Sequence, residues 1–204
     1  MRLNANKTSG RPAGPKLSPA AITAIAVIAG LIGLGVWIAE TPAHRPAALV
    51  GGPFTLETAG GKTVSDVDLA GHPFLVYFGY THCPDVCPTT LAQIADVLHK
   101  MPDTPIRVLF ITVDPERDSP AAMADYVSSF DPRFVGLSGT TEQIAAAEKG
   151  YRVYAHKGPA QSDGGYTMDH SSVVYLMDKR GAFVESLDLE RPPDDTAKEL
   201  AAYL

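Results

Sequence analysis

The longest apolar run in the chain comes first: from Leu17 to Ala39 there is no charged residue, and a run of that length crosses the roughly 30 Å hydrocarbon layer of a membrane as a helix. Beyond it the hydrophobic positions come in shorter pulses. Phe54 to Glu57 and Lys62 to Val64 flank Ala59-Gly60-Gly61, the pattern of a hairpin with a glycine turn. Phe74 to Tyr80 is a continuous apolar and aromatic run, which suits a strand buried on both faces of a sheet. Leu91, Ile94, Ala95, Leu98 and Met101 recur at helical spacing and predict a helix from about Pro88 to Met101, stopped by Pro102. Ile106 to Val113 reads as a second buried strand. Ser119-Pro120 is a helix start with serine as cap and proline at the first helical position, and Met123, Tyr126, Val127 and Phe130 form the inner face. Phe134 to Leu137 is a third strand, and Thr140 or Thr141 caps a helix running through Ile144 toward Val153. Ser172 to Asp178 and Ala182 to Leu187 make a hairpin across Lys179-Arg180-Gly181, followed by an amphipathic helix from Asp194. Strand, helix, strand, helix in that order implies parallel pairing with right-handed crossovers. The expected class is α/β, a three-layer α/β/α sandwich behind a single N-terminal transmembrane helix.

Charge orients that anchor. Arg2, Lys7, Arg11 and Lys16 precede it with no acid among them, so the positive-inside rule places residues 1–16 in the cytoplasm and everything after Ala39 outside. A cleaved signal peptide is the alternative, but its apolar region is shorter, about 7–15 residues, and Thr41-Pro42-Ala43 is a weak cleavage site. Ala29-x-x-x-Gly33 has the spacing of close helix packing, although ordinary composition accounts for it. Residues 40–52, rich in proline and glycine, read as a linker in which His44 is an exposed spacer residue, and residues 53–204 form one soluble domain. All 23 acids follow the anchor, against 13 of the 17 basic residues, so the outer part is formally −10. That argues against nucleic acid as a partner and is compatible with cationic proteins, metal ions or simple solvation. A short basic tail before an uncleaved anchor fits a bacterial inner membrane, with a periplasmic domain, better than a mitochondrial presequence.

The two cysteines, Cys83 and Cys87, follow the first buried strand in Tyr80-Thr81-His82-Cys83-Pro84-Asp85-Val86-Cys87-Pro88. Their spacing puts the sulfurs about one helical turn apart, within reach of one metal ion or of a disulfide. A domain of this size needs no disulfide staple, so the pair reads as a working, redox-active dithiol. Proline decides the helix start: with Pro88 as first helical residue, Cys87 is the cap, and the positive helix end favours its thiolate and lowers its pKa. His170, in Thr167-Met168-Asp169-His170-Ser171-Ser172, stands immediately before a strand at the sheet rim. On sequence alone a lone histidine is more often structural or exposed than a ligand.

The segments Gly79 to Pro88, Thr112 to Pro120 (Thr-Val-Asp-Pro-Glu-Arg-Asp-Ser-Pro) and Asp169 to Asp178 (Asp-His-Ser-Ser-Val-Val-Tyr-Leu-Met-Asp) together resemble the SCO/SenC family. The resemblance runs in order from about Pro53 to Leu204. It implies a thioredoxin-like fold, a membrane anchor, a role in assembling the copper centre of cytochrome c oxidase, and copper held by Cys83, Cys87 and His170. Such a set is chemically coherent: soft thiolates select Cu(I), one imidazole lets the site accommodate Cu(II), and structural zinc normally takes four protein ligands. Asp169 is a candidate to orient a ring nitrogen and Asp85 to tune the pocket, with loop capping an equal reading for each. Asp114-Pro-Glu-Arg-Asp118 faces the site or a partner, or is a salt-bridged turn. His82, beside Cys83, reads as a surface residue; His72, His99 and His156 lack paired spacing; and Met101, Met123, Met168 and Met177 are dispersed as core residues are. The leading function is a copper metallochaperone that takes copper from a donor, is kept reduced by a thiol reductase and serves the oxidase copper-centre subunit. The alternative is a thiol–disulfide oxidoreductase that reduces the oxidase cysteines.

Overall fold

The computed structural model describes residues 50–161 and 164–204, together with Ser18, Ala20 and Ile28. The basic tail, nearly all of the anchor segment and linker residues 40–49 lie outside the described residues. Among the described residues no helix is long and apolar enough to cross a membrane. The chain divides into two compact units, Met1–Arg45 and Pro46–Leu204, and the second carries the architecture that follows.

A five-stranded sheet organises it, in the order β5-β4-β3-β8-β9. Its centre is β3 (Phe74–Gly79), every residue of which is buried, as the unbroken apolar run predicts. Fully burying each large apolar side chain contributes about 1.5–3 kcal/mol, so this strand is the most firmly held platform available to the residues that follow it. β4 (Arg107–Thr112) pairs parallel to β3 with Phe110 opposite Tyr77, and β5 (Phe134–Leu137) pairs parallel to β4. β8 (Val174–Met177) and β9 (Phe183–Ser186) add antiparallel on the other side.

Alternation along β3 sorts the two faces. Tyr77 stacks on Phe110, which stacks on Tyr126 of α2 (Pro120–Ser128). On the opposite face Phe78 meets Tyr151 of α3 (Thr141–Tyr151) and Tyr175 of β8. Gly79 is on the Tyr77 face, where the Cys87 sulfur of α1 (Val86–His99) lies against it; α1 also packs on α4 (Pro193–Ala201). α2 reaches β5 only because residue 136 is glycine: a Cβ there would meet the Met123 carbonyl carbon and oxygen at 2.4 Å.

The helix caps follow the sequence. Ser119 accepts from the Ala122 N–H with Pro120 in the first turn. Thr140, not Thr141, caps α3 in a reciprocal box with Gln143, and α3 ends at a left-handed Arg152 (φ 58°) before reaching Val153. The first hairpin, β1 (Thr55–Thr58) and β2 (Lys62–Ser65), forms its own two-stranded sheet and touches β5 through a Glu57–Ser138 bridge. Sequence patterning missed a second small ribbon, β6 (Ala155–Lys157) paired antiparallel with β7 (Met168–His170). His170 therefore ends a strand of its own instead of standing at the mouth of β8.

Candidate metal centre

Helix α1 begins two residues earlier than expected, at Val86. Pro88 is then its third residue, still within the first turn, whose N–H groups have no intrahelical partner, so the proline costs no hydrogen bond. Cys87 lies inside the helix and is not its cap. The cap residue Asp85 makes no side-chain capping bond; the Cys87 N–H instead donates to the Cys83 sulfur at 3.3 Å. The first-turn donor expected to favour Cys87 thus serves Cys83.

Burial overrides the helix dipole at Cys87. Its side chain is fully enclosed, and desolvation pushes the thiol up to about 12 even though a backbone hydrogen bond from Tyr80 favours its ionised form. The expectation of a lowered Cys87 pKa is overturned for this reason: a dipole of half a charge in one turn is weaker than removal of the sulfur from water. The two cysteines are not joined by a disulfide, and both are buried.

His170 completes the cluster. Its Nε2 lies 3.5 Å from the Cys87 sulfur, while Nδ1 lies 3.0 Å from the Ser171 carbonyl oxygen. A carbonyl only accepts, so Nδ1 carries the proton and Nε2 presents a lone pair toward the thiols. Burial lowers the imidazole pKa, with the Ser171 bond and the Asp169 charge opposing. Ser171, not Asp169, supplies the hydrogen bond that orients the ring, a backbone contact with no sequence signature. Tyr77 and Tyr80 stand edge-on to the imidazole at 6.4 and 5.9 Å between centroids. Sγ of Cys83, Sγ of Cys87 and a His170 nitrogen all lie within 4.8 Å of one another. The three residues expected to ligate are brought together; Cys83 and His170 open into a depression of about 500 Å³ bordered by Asp85, Val86, Tyr154 and Met168, while Cys87 lies enclosed behind them.

The Asp114–Asp118 segment buttresses this cluster. Asp118, fully buried, accepts from the Thr81 N–H (3.0 Å), the Thr81 hydroxyl (2.5 Å) and the Thr112 hydroxyl (2.8 Å), tying the cysteine loop to β4. Asp114 pairs with Arg117 and accepts from the Tyr166 hydroxyl at 2.8 Å. Arg117 donates to the Tyr166 carbonyl and lies 3.6 Å over its ring, fastening the approach to β7. The salt-bridged turn and the site-facing role are one structure. His82 is exposed and turned toward Asp118 at 3.7 Å, outside the cluster; His99 approaches Asp131 at 3.9 Å, and His72 and His156 are exposed. Met101, Met123 and Met177 are core, whereas Met168 borders the depression.

The model of the family described as SCO1/SenC matches residues 42–204. The chain belongs to the SCO1/SenC family. It is 38% identical to the mitochondrial protein SCO2 homolog of Bos taurus over 95% of this chain and 80% of that one. Among solved structures, copper-bound ScoI of Bradyrhizobium japonicum is 52% identical, covers 76% of this chain and 99% of its own, and superposes with a TM-score of 0.72. Copper-bound yeast Sco1 is 37% identical over 76% of this chain and 87% of its own, with a TM-score of 0.69. The fold is accordingly mixed α/β and thioredoxin-like, as in the Sco structures.

Proposed function

We propose that the protein is a membrane-anchored copper metallochaperone that delivers copper to the copper centre of cytochrome c oxidase, with Cys83, Cys87 and His170 as ligands. The observation that carries the reading is the convergence of two sulfurs and an imidazole nitrogen within 4.8 Å, with the ring held in the tautomer that leaves Nε2 free. Copper-bound structures of relatives at 52% and 37% identity support the choice of metal. Two thiolates suit Cu(I), the imidazole accommodates Cu(II), and three ligands leave the metal under-coordinated for exchange with a partner's ligands. Loading requires both thiols to lose their protons; the enclosure of Cys87 makes that step depend on the metal itself. Residues 17–39 anchor the chain in a bacterial inner membrane, with residues 1–16 cytoplasmic and the domain from 53 onward periplasmic. There it meets a copper donor, a thiol reductase and the oxidase copper-centre subunit.

A second reading, reduction of the oxidase cysteines by thiol–disulfide exchange, is favoured by the closeness of two reduced sulfurs. His170 separates the two, because exchange needs thiolates and no third ligand. His170→Ala is expected to abolish Cu(II) binding and weaken Cu(I) binding of the reduced protein while leaving dithiol–disulfide cycling intact, and in cells to lose oxidase copper-centre assembly at normal protein level. Full assembly with this variant would overturn the carrier reading in favour of the reductase.

A further inference from the structure

Among the described residues, Tyr77 carries a buried hydroxyl beside the cluster that has no hydrogen-bond partner. The residue is fully buried, its ring clamped between Phe110, stacked at 5.7 Å, and His170, edge-on at 6.4 Å. Its hydroxyl has no group in hydrogen-bonding geometry, although Thr90 and the Cys87 sulfur both lie near enough to act on it electrostatically. A buried hydroxyl without a partner costs about 1–3 kcal/mol, and phenylalanine would fill the same space without that cost. Phe78 and Phe110 show that phenylalanine is well accommodated in these strands.

We infer that the Tyr77 hydroxyl is a hydrogen-bond donor to the Cys87 sulfur in the metal-loaded state, a positioning residue that favours metal binding at the expense of the apo protein. The inference rests on the copper-carrier reading. Its chemistry is balanced without a redox change: the metal ion displaces the Cys87 proton to solvent, and the sulfur, a weak acceptor as a thiol, becomes an anionic one. The tyrosine is already in place beside it. Gly79 lies on the same face of β3 as Tyr77 and against the same sulfur, since a Cβ there would meet the sulfur and Phe110, the ring on which Tyr77 stacks, both at 2.7 Å. A hydrogen bond to a charged group is worth about 1.5–3 kcal/mol, a factor of roughly 10 to 150 in affinity. Hydrogen bonding at a ligating sulfur also tunes the electronic structure of a copper–thiolate bond.

The test compares the full chain, reduced, with its Tyr77→Phe variant. Competition with a chromophoric Cu(I) chelator is expected to show affinity lowered at least tenfold. The thiolate-to-Cu(II) charge-transfer band should move to lower energy, which a change in packing alone would not produce. Thermal melting of the metal-free variant should occur at the wild-type temperature or above it. Affinity within twofold of wild type, an unmoved band, or a metal-free variant melting several degrees lower each overturns the inference while leaving the copper-carrier reading standing. A wild-type protein that takes up no copper overturns both.

Discussion

Replacing Asp118 by alanine tests whether the cysteine loop is held from beneath by one buried carboxylate. The substitution removes the acceptor of three hydrogen bonds, two from Thr81 and one from Thr112. Bonds to a charged group contribute about 1.5–3 kcal/mol each, but three on one carboxylate form a network and do not add. The Thr112 hydroxyl keeps a second partner, since it also accepts from the Asp114 N–H at 2.8 Å; the Thr81 N–H has no such alternative. His82 lies 3.7 Å away and is more than half exposed, so its contribution to holding the carboxylate is small. The net expectation for Asp118→Ala is a loss of about 2–4 kcal/mol, the cost of leaving the buried Thr81 N–H without a partner plus part of the other two bonds, and a large fraction of the 5–15 kcal/mol typical of a whole domain. Asp118→Asn, which keeps the shape and one acceptor oxygen, should lose about 1–2 kcal/mol. Urea unfolding of the reduced, metal-free protein followed by circular dichroism measures both. Because Thr81 is two residues from Cys83, Cu(I) affinity should fall with stability in the same order, Ala below Asn. A loss under about 1 kcal/mol for alanine, or equal losses for the two variants, would refute the view that the carboxylate holds the loop.

Two further substitutions probe packing and protonation. Gly79→Ala would press a methyl against the Cys87 sulfur and Phe110, both 2.7 Å from the added atom; the expected outcome is about 1–3 kcal/mol of lost stability together with weakened Cu(I) binding, and unchanged chelator competition would contradict the contact. Glu148 has its carboxyl pushed up to about 7 by burial. Because this folded value exceeds the unfolded one, the contribution to stability is full below about pH 4.5 and lost as pH rises through 7. Discounted for partial exposure, the loss is about 1–2 kcal/mol, and Glu148→Gln should flatten the difference between urea midpoints at pH 5 and pH 8.

What was legible in the sequence depended on how much of an element's identity lay in its own residues. β3 and the inner face of α1 carry long, unambiguous apolar patterns, and the Ser119-Pro120 start carries its own cap chemistry; all three are where the pattern puts them. The start of α1 moved because Pro88 is tolerated anywhere in the first turn, which leaves two residues of freedom. The β6–β7 ribbon was invisible: Ala155-His156-Lys157 and Met168-Asp169-His170 are three residues each, mostly polar, with no period to detect. Of the site, the cluster of Cys83, Cys87 and His170 was legible as motif, whereas the Cys87 pKa was not. A helix dipole follows from local sequence, but the burial that outweighs it comes from Gly79 and Phe110, residues supplied by other strands. The Ser171 carbonyl escaped notice because it is backbone, and Asp118 was legible only as part of a segment with two open readings, because its bond to the Thr81 N–H acts across 37 residues.

The same ribbon gives the cluster two unequal halves. The sulfurs lie buried where β3 leads into α1, while the imidazole is carried on a short ladder whose fastenings are largely polar: Lys157 with Glu116, Tyr166 with Asp114, and Arg117 with the Tyr166 carbonyl. Such a ladder opens at a free energy well below that of the sheet. Amide exchange at Ala155 to Lys157 and Met168 to His170 should accordingly be far faster than at Leu75 to Phe78. The nitrogen can then be withdrawn from the sulfurs by a local excursion that leaves the core intact, so that the imidazole behaves as a latch on a floor made by the two sulfurs.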